Sequence, residues 1–246
     1  MKGQSLINIP NLITCCNLLC GCFAIYCGLQ SADGMIGLAC WFIIGGAVFD
    51  FFDGMTARAL HISGPIGKEL DSLADCVTFG VAPSVLCWHI LNSYVEGSGH
   101  IDAVTAVLPL CAFIMAAFSA LRLAKFNCDE RQTLSFIGLP TPANALLWIG
   151  LVYLNQMEAV HEAVPELAYI LLMLVCCYLL ISEIPMFSLK IKPGHMGLKE
   201  NLVRYSFLVI TVVLLVVFAI FHTIQASLAL IILLYILFSI LSRSKA

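Results

Sequence analysis

Eight apolar runs, at residues 11–30, 34–57, 71–94, 103–123, 142–157, 166–187, 201–222 and 224–242, leave this chain few folds to choose from. A helix needs roughly 20 apolar residues to cross the hydrocarbon of a bilayer. Inside that hydrocarbon every backbone N–H and C=O must find a partner in the protein, which a helix provides within itself. The expectation is therefore an all-α, polytopic membrane helix bundle with about eight transmembrane helices. The 246 residues are 61% hydrophobic and 11% charged, and no polar stretch is long enough to build a separate soluble core. The chain reads as one integral membrane domain, 1–246. Because the run at 142–157 is short and the last two runs nearly touch, seven spans or a reentrant element is the alternative.

The basic residues test that count. With a cytoplasmic N-terminus, the inside segments are 1–10, 58–70, 122–141, 188–204 and 243–246, and all 12 Lys and Arg fall within them. The outside turns carry acids instead: Asp33, Glu96, Asp102, Glu158, Glu162 and Glu166. Sorting of this kind follows the positive-inside rule and places both termini in the cytoplasm. The short, lightly charged N-terminus lacks an A-x-A cleavage site, so no removable signal peptide is expected. The 12 Cys show neither CxxC nor Cys/His zinc spacing and are expected to act as small buried hydrophobes. No nucleic-acid partner is expected.

Residues 50–75, DFFDGMTARALHISGPIGKELDSLAD, put acids where a membrane protein tolerates them least. Asp50, Asp53, Gly54 and Ala57 stand at i, i+3, i+4 and i+7, one stripe of a helix. After a break at Ser63, Gly64 and Pro65, residues Gly67, Asp71 and Asp75 follow at i, i+4 and i+8, again one face. Clustered carboxylates repel, and desolvation adds to the cost, so a cation is the natural partner. Hard oxygen ligands favour Mg²⁺ or Mn²⁺, with Ca²⁺ possible, over zinc. The small residues leave room for a bulky anion, and Arg58 offers a forked donor to phosphate oxygens.

Asp50, Asp53, Gly54, Ala57, Arg58, Gly67, Asp71 and Asp75 together read D-x2-D-G-x2-A-R-x8-G-x3-D-x3-D, which resembles the signature of the CDP-alcohol phosphotransferases. The resemblance implies a catalytic six-helix core, 1–187, with two additional C-terminal helices in 188–246. It implies metal ions on Asp50, Asp53, Asp71 and Asp75, phosphate held by Arg58, and close approach at Gly54, Ala57 and Gly67. Asp75 becomes the general base. The opening I-P-N-L-I-T is similar to a segment that lies against the nucleotide in that family, which makes Asn11 and Thr14 contacts to cytidine or phosphate and leaves Asn17 a weaker candidate. By residue chemistry alone, Pro10 suits a first helical turn and Asn11 a cap. The resemblance also implies a homodimer, and the short chain with both termini inside is expected in a bacterial inner membrane.

A second segment, 120–145, reads ALRLAKFNCDERQTLSFIGLPTPANA. Its basic residues alone would serve as an anchor to anionic lipid. RLAKFN and the following GLP are nevertheless similar to the RLARFN and GLP segments of the family's serine-transferring members, with Lys125 replacing the commoner Arg. The resemblance implies CDP-diacylglycerol and L-serine as substrates, giving phosphatidylserine and CMP. Arg122, Lys125 and Asn127 are then the serine-binding residues. Glycerol 3-phosphate or inositol phosphate is the alternative acceptor, and a cation transporter is the alternative of a different class. Glu183 is expected to reach water or Lys190, and Asn144 stays open between helix end and pocket.

Overall fold

The computed structural model describes residues 8–30, 32, 34–62, 64–97, 103–128, 137–186, 198–221 and 223–243. Helix α1 spans Ile9–Gly28, α2 Met35–Ala59, α3 Pro65–Gly97 and α4 Thr105–Cys128; all four are long and apolar enough to cross a membrane. Helices α5 (Thr141–Asn155), α6 (Glu158–Ala163), α7 (Glu166–Ile181), α8 (Leu198–Ile220) and α9 (Ser227–Arg243) follow. The eight apolar runs fall on α1–α5 and α7–α9, with the short α6 between α5 and α7; beside the four long helices, α7, α8 and α9 carry shorter apolar segments. Among the described residues the one β feature is an isolated bridge between Ile137 and Pro185. The protein is an all-helical polytopic membrane bundle.

Local chemistry sets several boundaries. Asn8, not Asn11, caps α1: its side chain accepts the Asn11 N–H at 2.9 Å. The helix begins earlier than expected because Pro10, lacking an N–H, fits the first turn. The third span also begins earlier than the apolar pattern, at Pro65, since α3 continues unbroken through its polar first turns. Within α3, Cys76–Val81 is π-helical. A Cβ added to Gly21 of α1 would lie 2.9 Å from Thr78 Cα, and one on Gly46 of α2 would lie 2.5 Å from Thr78 Cγ2. These two glycines let α1 and α2 close on the π-helical turn.

Helix α5 forms the centre of the bundle, with Leu147, Trp148 and Ile149 fully buried. A side chain at Gly150 would overlap the Ala229 backbone of α9, so α9 is seated directly on this central helix. Gly138 of the GLP segment has φ +77°, which glycine adopts without strain. Its N–H donates to Ile184 O at 2.9 Å, just past α7, and the Leu139 N–H to Leu179 O at 2.9 Å, satisfying a carbonyl in the last turn of α7. At the opposite end of the bundle, the Tyr94 hydroxyl donates to Val164 O at 2.8 Å and tilts toward Asn155 Oδ1 at 3.1 Å. Large apolar side chains such as Tyr26, Trp41, Phe51, Leu171 and Val209 are exposed, as contact with lipid requires. All twelve cysteines are free; Cys27, Cys40, Cys87, Cys176 and Cys177 are buried as expected, whereas Cys15, Cys22 and Cys128 are exposed on outward helix faces.

Candidate active site

The helical stripes of α2 and α3 converge as their spacing requires. One carboxylate oxygen from each of Asp50, Asp53 and Asp71 lies within 4.8 Å of the others. Asp75, one turn along α3, faces Asp50 and Asp71. Three like charges at such spacing repel strongly away from bulk water. Asp71 Oδ1 is buried and accepts no hydrogen bond from the described residues. Hard donors, clustered charge and an unused buried oxygen together fit an alkaline-earth or Mn²⁺ ion.

Helix α1 packs beside this cluster and orders it. Thr14 Oγ1 donates to Asp53 Oδ2 at 2.6 Å. Asn17, fully buried one turn deeper, donates from Nδ2 to Asp75 Oδ1 at 3.3 Å. Thr14, Asn17 and Gly21 are spaced i, i+3 and i+7, so a single stripe of α1 supplies both hydrogen bonds and the close approach. That spacing was available in the sequence as a signal for Asn17.

A cleft of about 290 Å³ opens beside the acids, lined among others by Asn11, Thr14, Asp53, Gly54, Ala57, Gly67, Lys68 and Asp71. A Cβ on Gly54 would meet nothing within 4 Å, so α2 presents bare backbone to the open space. The start of α3 enters the cleft at Gly64, Ile66 and Gly67, bringing the positive end of a long helix to it. Arg58 is placed differently from the other signature residues. It is exposed, outside the cleft lining, and its Nε donates back to Gly54 O at 3.0 Å. Lys68, which the motif does not specify, is the basic side chain in the lining.

The second segment reaches the site through Arg122. Its guanidinium is buried, stacks over Phe126 at 5.7 Å, donates from Nη1 to Thr141 Oγ1 at 3.3 Å, and feels the charge of Asp75. Its Nε has no partner among the described residues. Lys125 instead donates to Ile181 O at 3.2 Å and pairs with Glu183 at 3.5 Å. Glu183 thus meets Lys125 of α4, 58 residues away in the chain, where water or Lys190 was expected; Lys190 lies outside the described residues. Asn127 Nδ2 donates to Ser72 Oγ at 2.8 Å on α3. Asn144 is fully buried and donates to Met115 Sδ at 3.1 Å, which makes it a helix-packing group in this arrangement.

Residues 7–183 match the family model described as CDP-alcohol phosphatidyltransferase. A Bacillus subtilis protein named CDP-diacylglycerol–serine O-phosphatidyltransferase is 41% identical over 134 residues, 54% of this chain and 69% of the relative. A Helicobacter pylori (strain 26695) protein of the same name is 30% identical over 186 residues, 75% of this chain and 73% of the relative. The archaetidylserine synthase of Methanothermobacter thermautotrophicus is 32% identical over 186 residues, covering 74% of this chain and 71% of its own.

Proposed function

Since the chain belongs to the CDP-alcohol phosphatidyltransferase family, we propose that it transfers the phosphatidyl group of CDP-diacylglycerol to L-serine, forming phosphatidylserine and CMP. The observation that carries this reading is the meeting of the acid cluster with a cleft bordered by bare helix backbone, beside a buried arginine. The donor diphosphate lies against Gly54, Ala57 and Gly67, with Arg58 swinging from Gly54 O to a phosphate oxygen. Asn11 and Thr14 contact the cytidine or its phosphate. Asp50, Asp53, Asp71 and Asp75 hold a divalent cation, Mg²⁺ or Mn²⁺, which when bound neutralises the diphosphate and favours CMP as leaving group.

Serine's hydroxyl is a weak nucleophile at neutral pH, so it needs a base and fixed orientation. Asp75 takes the hydroxyl proton as the oxygen attacks the β-phosphorus, and the bond to the CMP oxygen breaks. Asn17 holds the Asp75 carboxylate from the side away from solvent. Arg122, Lys125 and Asn127 form the acceptor side. Arg122 carries the carboxylate of serine, because it is buried near Asp75 with an unused Nε, while Lys125 and Asn127 hold the segment through Glu183 and Ser72. The catalytic core is 1–187. The protein acts as a homodimer in a bacterial inner membrane with its cleft toward the cytoplasm, a placement supported by the sorting of its Lys and Arg.

The test is CMP release by the purified chain from CDP-diacylglycerol with Mg²⁺ or Mn²⁺, comparing L-serine, glycerol 3-phosphate, inositol phosphate and no acceptor. Serine-dependent release is expected. Release with another acceptor alone would overturn the acceptor assignment, and absence of release with every acceptor and metal would overturn the enzyme.

A further inference from the structure

Among the described residues Lys68 is the one basic side chain lining the cleft. It stands in the second turn of α3, between the backbone at Gly67 and the Asp71 carboxylate. Its Nζ donates to Asn127 O at 2.9 Å, in the last turn of α4. Asn127 returns a bond from Nδ2 to Ser72 Oγ at 2.8 Å, and Ser72 Oγ donates to Lys68 O at 3.1 Å. Three residues thus close a ring of hydrogen bonds that ties the wall of the cleft to the RLAKFN segment.

An ammonium on a flexible stem can exchange a neutral carbonyl for an anionic oxygen, and the charge-assisted bond is roughly twice as strong. The exchange has a consequence for Asn127. Its carbonyl is released, while its side chain stays anchored on Ser72. We propose that Lys68 is a donor-binding residue: its ammonium moves from Asn127 O to the diphosphate of the cytidylyl donor, and this move couples filling of the donor cleft to the position of the acceptor segment. The proposal rests on the reading of the cleft as the donor site. It adds Lys68 to the phosphate contact proposed for Arg58, whose side chain lies outside the lining with its Nε on Gly54 O.

The experiment measures CMP release by the full chain in mixed micelles, varying CDP-diacylglycerol at saturating L-serine and then L-serine at saturating donor. Lys68→Met is expected to raise KM for the donor tenfold or more and KM for serine severalfold, and Lys68→Arg to restore both to within threefold of the native protein. Thermal unfolding of Lys68→Met within a few degrees of the native protein shows that the loss is local. If Lys68→Met leaves the donor KM unchanged and raises only that of serine, Lys68 is a latch for α4 and the donor contact is wrong. If neither KM moves, the proposal fails while serine-dependent release by the native chain keeps the enzymatic reading intact. Absence of such release from the native chain would sink the reading itself. If Lys68→Met unfolds early, Lys68→Gln takes its place, and a donor KM no higher than that of Lys68→Arg overturns the proposal.

Discussion

Thr14 has two acceptors within reach, Pro10 O at 3.0 Å in its own helix and Asp53 Oδ2 at 2.6 Å across to α2. The shorter bond, to a charged partner, fixes which way one carboxylate of the cluster points. Replacing Thr14 by Val keeps the shape and removes the donor, so the cluster loses orientation without losing a ligand. The expected result is a fall in CMP release of about three- to tenfold at low Mn²⁺, recovering to within twofold at saturating Mn²⁺. Equal loss at every metal concentration would show that Thr14 acts through its proposed contact to the nucleotide and not through Asp53. Asp75→Asn separates binding from chemistry: turnover is expected to vanish while CDP-diacylglycerol still binds, and retained turnover would remove Asp75 as base. The acids were legible in the sequence because helical spacing fixes which residues share a face. The hydrogen-bond partners of Lys68 and Lys125 were not, since the direction of a long flexible side chain depends on groups such as Asn127 O and Glu183 that lie far along the chain.

The π-helical turn at Cys76–Val81 is the element on which the site is hung. It directly follows Asp75, and Thr78 within it donates to Asn17 O at 3.0 Å, so α1 is held to α3 at the level of the base. Gly21 and Gly46 make that approach possible. Gly21→Ala places a methyl against Thr78 backbone, which cannot rotate away. It is expected to cost about 1–3 kcal/mol of stability, to lower the thermal midpoint, and to reduce turnover as Asn17 shifts from Asp75. Gly97→Ala, where the added methyl meets nothing within 4 Å, serves as control. An equal midpoint for both variants would show that α1 does not pack on the turn as described. The sequence announced the spans but not this turn, because an apolar run such as CVTFGV reads alike in an α- or a π-helix. GLP was legible only as a motif; its structural use, a left-handed Gly138 closing the end of α7, depends on residues more than forty positions away.

On the scale of the molecule, alternating helix direction turns a one-dimensional charge pattern into two ends. Arg58, Lys68, Arg122 and Lys125 gather at the end that holds the cleft. Glu96, Glu158 and Glu166 lie at the other, around the network of Tyr94. Phe51, Phe52 and Met55 are exposed beside the acids on α2, a flank along which acyl chains stay in lipid while their headgroup enters the cleft. A lipid substrate with a water-soluble nucleotide and a soluble acceptor needs this placement at one face, and the positive-inside rule supports the proposal that this face is cytoplasmic. Cys128 provides a native probe, since it is exposed and adjoins Asn127, which is bonded to the cleft wall. A membrane-impermeant maleimide should leave Cys128 unlabelled in intact spheroplasts and label it in inverted vesicles, with Cys128→Ser as the background. A Glu96→Cys variant should show the reverse. Labelling of Cys128 from outside would place the cleft on the external face. The basic residues would then have been sorted against the membrane's orientation, and cytosolic serine could not serve as the acceptor.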